Sequence, residues 1–242
     1  MIKTVSLSKR YGQVEALRDL SLEVSGGEIM ALVGPNGAGK TTALKLLVGL
    51  LTPTRGEVWV GGYDVYRQPL EAKRILGFVP DQPFLYEQLT VAEMIGFIGG
   101  MYQIDAAPLR ERAGMLLTMF GLAEYATSRI SHLSYGMKSR LALITSLLHD
   151  PQVLILDEPF FGLDPQTLRL MKQLLLERAK QGMAILLSTH QLFIVEDLAH
   201  RIAILSQGRL VALGTWAALK EAHGGPHLEE VFFQLTSPVP AP

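Results

Sequence analysis

The eight residues Gly34-Pro35-Asn36-Gly37-Ala38-Gly39-Lys40-Thr41, with Thr42 directly after them, match the pattern G-x-x-x-x-G-K-[ST]. The apolar run "EIMALV" precedes them and a helical pattern follows, which is the strand–loop–helix setting the motif requires. Glycines let backbone N–H groups curl round a β-phosphate, Lys40 reaches the β- and γ-phosphates, and the Thr41 hydroxyl ligates Mg²⁺. The plain alternative is a glycine-rich turn capping a helix. A chance match in a chain of this length is about 1%, before strand and helix are demanded.

Two further stretches carry chemistry. "VLILDEP" is an apolar strand ending in Asp157-Glu158. Two acids at the end of a buried strand make sense where a cation waits, because an unpaired buried carboxylate is costly. Asp157 would hold Mg²⁺ and Glu158 would polarise an attacking water. In "SHLSYGMKSRLALITSLLHDP", Leu133-Ser134-Tyr135-Gly136-Met137 puts a hydroxyl, a glycine and free N–H groups where an amphipathic helix begins. Unpaired N–H groups and the helix dipole attract an anion there. Ser134 also reads as an ordinary N-cap, which is compatible.

These residues need elements to hold them. "IKTVSLS", "LRDLSLEV" and "EIMALV" read as strands, Lys40 to Leu51 has helical spacing, and "GEVWVGGYDV" reads as a hairpin turning at Gly61-Gly62. "ILGFVP" is another strand. From Thr90 to His149 the pattern is almost wholly helical, with Leu116, Leu117 and Phe120 on the 3.6 period. Then strand "VLILDEP", a helix over Pro165–Lys180, strand "MAILLST", a helix near 191–198 and strand "RIAILS" follow. Continuous apolar strands separated by helices predict a parallel sheet covered on both faces. The chain therefore reads as one α/β core interrupted by a helical subdomain at roughly 85–150. "TSPVPAP" reads as a disordered tail.

Composition narrows the partners. Of 242 residues, 48% are hydrophobic and 19% charged, as in a folded globular protein. A net charge of −1 argues against nucleic-acid binding, and the lack of cysteine excludes disulfides and thiolate metal sites. "MIKTVSLSKRYG" has no apolar signal region, and "MIGFIGGMY" is too short to span a bilayer. The chain is expected to be soluble by itself.

With "GPNGAGKTT", "LSYGM" and "LILDEP" in that order, the sequence resembles the nucleotide-binding subunits of ATP-binding cassette transporters, from about residue 2 to 235. The implied fold is α/β: a P-loop NTPase core with a mainly parallel sheet, an antiparallel β subdomain and an inserted α-helical subdomain. The implied division is one domain over 1–236, with 1–84 and 151–214 as core and β subdomain, 85–150 as helical subdomain and 215–236 as C-terminal helices. Residues 237–242 form the tail.

The resemblance assigns more residues. Tyr11 in "KRYG" falls where the family stacks an aromatic ring on adenine, "FGLDP" with Asp164 matches the loop after the catalytic glutamate, and His190 in "LLSTHQ" sits at the switch-histidine position. In the family two cassettes dimerise head to tail, so Ser134, Tyr135, Gly136 and Met137 would meet ATP held by the other subunit. Tyr135 and Met137 depart from the usual Leu-Ser-Gly-Gly-Gln, while the serine and second glycine remain. In "FVPDQP" the position after proline is Asp81, where the family usually has a metal- and water-contacting glutamine. Either Asp81 substitutes, which is favoured, or Gln82 takes the role.

ATP and Mg²⁺ are thus the implied cofactors, and a second cassette and separate membrane subunits the implied partners. The expected location is cytoplasmic, peripheral on the inner face of the cell membrane. Phe84, Leu85 and Tyr86 are candidates for contact with the membrane subunit. For Phe97 and Met101 a place in the subdomain core is favoured. The "LSYGMKSRL" variant and "LEEVFFQLT" resemble exporters of multidrug, antibiotic or polysaccharide type. A cassette ATPase acting on a soluble assembly is the alternative. A GTPase is excluded by the missing N-K-x-D element.

Overall fold

The computed structural model describes residues 1–237; the remaining residues of the tail expectation lie outside the described ones. A six-stranded sheet organises the chain. Its strands are β3 (Ile29–Val33), β6 (Leu76–Val79), β7 (Val153–Asp157), β8 (Ala184–Ser188), β9 (Arg201–Ser206) and β10 (Arg209–Gly214), in the order β10-β9-β3-β8-β7-β6. All neighbours run parallel except the β9–β10 hairpin. The expected strands are present, and β10 is an addition.

Both faces of this sheet are covered, so its strands can be apolar throughout. Side chains alternate: Ile29, Ala31 and Val33 enter one core, Met30 and Leu32 the other. β7, β8 and β9 divide in the same way. One face packs on α1 (Lys40–Leu47) and a four-stranded antiparallel sheet, ordered β2-β1-β4-β5. Its strands are β1 (Ile2–Tyr11), β2 (Val14–Val24), β4 (Arg55–Val60) and β5 (Tyr63–Asp64). Trp59↔Asp64 and Val60↔Tyr63 pair across the expected Gly61-Gly62 turn. α1 stops before the expected Leu51 because Gly49 turns to φ +71. α2 (Pro69–Arg74), unforeseen in the sequence, fills the step between β5 and β6.

The opposite face meets α3 (Val91–Met101), α4 (Ala106–Met119), α5 (Tyr135–Leu147), α6 (Pro165–Lys180) and α7 (Leu192–Leu198). α8 (Trp216–His223) and α9 (Leu228–Thr236) complete it. Short 3₁₀ turns at Ala123–Tyr125 and Ile130–His132 interrupt the stretch expected to be almost wholly helical. Leu116, Leu117 and Phe120 are buried, as the 3.6 period implies.

Phe97 and Met101 correct one expectation. They are 42% and 62% exposed, not part of the subdomain core. α3 buries Val91, Met94, Ile95 and Gly99, a stripe spaced by three and four residues. The helix is apolar nearly all round, so its composition does not reveal which face turns inward.

Candidate active site

The parallel strands end on one edge, and there the loops converge, as ligand sites do in open α/β sheets. The loop Gly34–Gly39 joins β3 to α1. Two of its glycines are forced: a Cβ on Gly34 would sit 2.4 Å from the Leu205 carbonyl oxygen. On Gly39, at φ +105, it would sit 2.5 Å from that of Ala16. Gly37 also turns left-handed, at φ +79. The loop is thus clamped between β9 and β2, with Asn36 and Gly37 at its exposed tip.

Lys40 is only 8% exposed and its ammonium folds back over the loop, donating to the Gly34 carbonyl at 2.6 Å and to that of Pro35 at 3.3 Å. Burial pulls its pKa below the ordinary lysine value, while the charges of Glu158 and Asp157 pull upward. Ala38 is buried beneath the loop, and Thr41 and Thr42 open the first turn of α1. The Thr41 hydroxyl donates to Asp157 Oδ1 at 3.4 Å.

Pairing of β7 with β8 sets Asp157 beside Ser188. The Ser188 hydroxyl donates to the same Asp157 oxygen, and the carboxylate is 2% exposed. Glu158, next in line, turns to φ +49, and its N–H donates to the Ser188 carbonyl at 3.0 Å. Its Oε2 lies 2.9 Å from His190 Nδ1 and accepts the His190 N–H at 3.3 Å. Ser188 was not singled out from sequence; the only signal is its place at a strand end two residues before His190. Thr41, Asp157, Glu158, Ser188 and His190 therefore form one connected group at the strand ends.

Thr41 and Asp157 offer two hard oxygens close together. That suits Mg²⁺, which keeps several waters and needs only one or two protein ligands beside substrate phosphates.

Ser134 begins α5 as its N-cap, and its hydroxyl oxygen accepts the Met137 N–H at 3.3 Å. Asn36, Asp81, Gln82, Tyr135, Glu158 and His190 all border one open cavity of about 640 Å³. Both Asp81 and Gln82 are thus in reach of the site. Asp164 caps α6: its carboxylate accepts from the Thr167 hydroxyl at 2.6 Å and from the Thr167 and Gln166 N–H groups, bonds that hold its pKa below the usual range. Tyr11 stands apart at the end of β1, exposed, with the Lys9 ammonium 5.1 Å from its ring centre.

Comparison with known proteins agrees with this geometry. Residues 17–161 match the family model described as ABC transporter. The chain belongs to the ABC transporter family. It is an ATP-binding cassette and an ATPase. This cassette is 38% identical over 226 residues to the Nod factor export ATP-binding protein I of Paraburkholderia xenovorans (strain LB400), covering 93% of this chain and 74% of that one. A solved ATP-binding subunit of an ABC transporter superposes on it with a TM-score of 0.93 at 34% identity, covering 97% of this chain and 99% of the other. The cassette MJ0796, solved as a dimer in a post-hydrolysis state bound to ADP and Pi, superposes with a TM-score of 0.78 at 25% identity over 89% and 98%.

Proposed function

We propose that this cassette hydrolyses ATP between two copies or two paralogues, closing on the nucleotide and so driving export through separate membrane-spanning subunits. The observation that carries the reading is the group Thr41–Asp157–Ser188–Glu158–His190 gathered beside the Lys40 loop. The name of the Nod factor export relative supports the direction.

Backbone N–H groups of Gly34–Gly39 and the Lys40 ammonium hold the β- and γ-phosphates. To do so, Lys40 exchanges the Gly34 and Pro35 carbonyls for phosphate oxygens. Thr41 and Asp157, with Asp81 (or Gln82) at the rim, would hold Mg²⁺, whose chemistry there would be to offset phosphate charge. Glu158 accepts a proton from the attacking water while the water oxygen bonds the γ-phosphorus. The β–γ bridging oxygen leaves with ADP, and phosphate is released. His190, on the same Glu158 oxygen, orients that carboxylate. Tyr11 stacks on adenine through an exposed ring face.

Ser134 and Gly136 would cap the γ-phosphate bound by the opposite subunit in a head-to-tail dimer, with Asp164 shaping the loop between them. The dimeric MJ0796 cassette supports association of this kind. The γ-phosphate then joins the two chains, and hydrolysis removes the joint.

A groove of about 290 Å³ lined by Leu50, Phe78, Phe84, Met94, Ile98 and Tyr102 fits a short helix of the membrane subunit. Among the described residues no helix is long and apolar enough to cross a membrane, so in this reading the spans belong to the partner and the cassette sits peripherally on the cytoplasmic face.

Two substitutions test the reading. Lys40→Ala should lower ATP turnover about 100-fold or more, the scale of losing a preorganised charge at the phosphates. Turnover within twofold of the parent would sink the assignment. Glu158→Gln should bind ATP, turn over very slowly and appear as a dimer by light scattering in ATP and Mg²⁺. If it stays monomeric alone and with a paralogous cassette, trans capping fails.

A further inference from the structure

Tyr135 occupies the third position of Leu133–Met137, where the resemblance leads one to expect glycine. Its side chain, 43% exposed, touches two loops. The hydroxyl donates to the main-chain carbonyl of Asp81 at 3.1 Å. The ring meets Phe161 edge-on, with centroids 6.3 Å apart and planes at 84°. Gly162, at φ +72, approaches so closely that a Cβ there would stand 3.4 Å from the ring. A Cβ on Gly136 would stand 3.5 Å from the Gly162 oxygen, so the first turn of α5 is seated on the same loop.

One residue therefore touches the loop carrying Asp81 and Gln82 and the loop following Glu158, and it opens the helix capped by Ser134. A charge pair from Lys138 to Glu87 ties α5 to the same β6–α3 connection one turn further on. A ring needed only to fill space would require no hydroxyl partner. Here the O–H reaches the backbone at the start of the connection, so its hold does not depend on whether Asp81 or Gln82 serves the metal.

We infer that Tyr135 is a positioning residue for hydrolysis, transmitting the position of the Asp81–Gln82 loop to Ser134 and Gly136. When nucleotide draws that loop inward, the hydroxyl bond and the Phe161 contact carry the start of α5 with it. The chain's own ATP thus sets how well it caps the ATP of its partner. The inference rests on the trans-capping reading of Ser134 and Gly136 given above.

The test compares Tyr135→Phe, which removes only the O–H, with Tyr135→Gly, which removes the ring as well. For Tyr135→Phe, kcat should fall about fivefold, the scale of one neutral hydrogen bond. Affinity for ADP, which lacks the γ-phosphate that joins the two chains, should stay within twofold, because Tyr11 and Lys40 are untouched. In a Glu158→Gln background, the ATP concentration giving half-maximal dimer by light scattering should rise about fivefold. Tyr135→Gly should lose more on both readouts. Tyr135→Phe matching the parent within twofold in kcat and in dimerisation midpoint overturns the inference. So does a fall in kcat that follows a fall in melting temperature while the midpoint is unmoved, since that marks plain packing. A parent protein without turnover, or one indifferent to Lys40→Ala, fails the functional reading instead, so the two failures are separable.

Discussion

Glu158 is held in the left-handed region at φ +49, where a residue with a Cβ is strained by about 1 kcal/mol or more. The position is fixed from outside: its N–H is taken by the Ser188 carbonyl, and its carboxylate by His190. The turn re-aims the side chain out of the buried strand and into the cavity shared with Asn36 and Asp81. If strain is retained for that purpose, removing it should stabilise the fold and destroy turnover. Glu158→Gly is expected to melt about 2–4 °C above the parent, the shift that about 1 kcal/mol produces in a chain of this size. Its ATP hydrolysis should be near background. A lower melting temperature would show that the carboxylate's contacts outweigh the backbone strain.

Much of this site was legible at the residue scale because phosphate chemistry restricts residue types. The Lys40 loop, Asp157-Glu158 and Ser134 were readable for that reason, and the structure brings the first two together. Ser188 was not readable, because a serine at a strand end has many uses and only register with β7 sets it on Asp157. Tyr135 stood out as a departure, yet its contacts with Asp81 and Phe161 depend on how three loops meet. Asp164 carries a capping role that its helix-start position would have announced.

At the scale of elements, helices with one polar face were the easiest to place. Pro165–Lys180 is observed as expected, with Pro at N1 and an aspartate cap ahead of it. α3 is the contrary case, since its apolar circumference hid which face is buried. α2 and β10, six residues each, are too short for periodicity to declare. The sheet order was out of reach because it depends on pairings far apart in sequence.

The junction of α5 with β6 has a pH signature of its own. His149, just past α5, stacks on Tyr102 at 3.8 Å, and its Nε2 lies 3.1 Å from the Leu76 carbonyl. Burial lowers its pKa to about 4; the Leu76 bond opposes this, the Arg112 charge adds to it, and Asp150 opposes it. The folded chain therefore refuses a proton that the unfolded chain accepts below about pH 6.5. That stability is fully present above pH 6.5 and is lost as pH falls toward 4. Between pH 7.5 and 5.0 the parent should lose about 2 kcal/mol more unfolding free energy than His149→Gln, whose amide keeps a donor for Leu76 but does not titrate. Urea titrations at both pH values measure the difference. Equal losses in the two proteins would show that His149 titrates normally in the fold.

For the whole molecule, the question is where motion at the nucleotide leaves the cassette. The loop Gly34–Gly39 is clamped between β9 and β2, whereas α3, α4 and α5 are joined along the chain to the core strands by the connection from Pro80 to Thr90 and the turn into β7. That connection carries Asp81 at one end and the most exposed aromatic residue, Phe84, 82% exposed, a few residues on. Phe84 shares the apolar groove with Leu50, which belongs to the core side, so the groove lies where core and helices adjoin. An apolar site there can be felt from both sides, which a patch on either part alone could not. Leu50 is also exposed, so charging both lips removes no core packing. Leu50→Asp with Phe84→Asp should therefore keep the parent's melting temperature and solution ATP turnover within twofold. It should also lose about 10-fold or more of the integral membrane protein recovered with tagged cassette from detergent-solubilised membranes, as loss of a buried anchor does. Undiminished recovery would move the docking surface elsewhere. Recovery of soluble assemblies by the parent, with no multispanning protein among them, would leave the ATPase standing and remove export from its role.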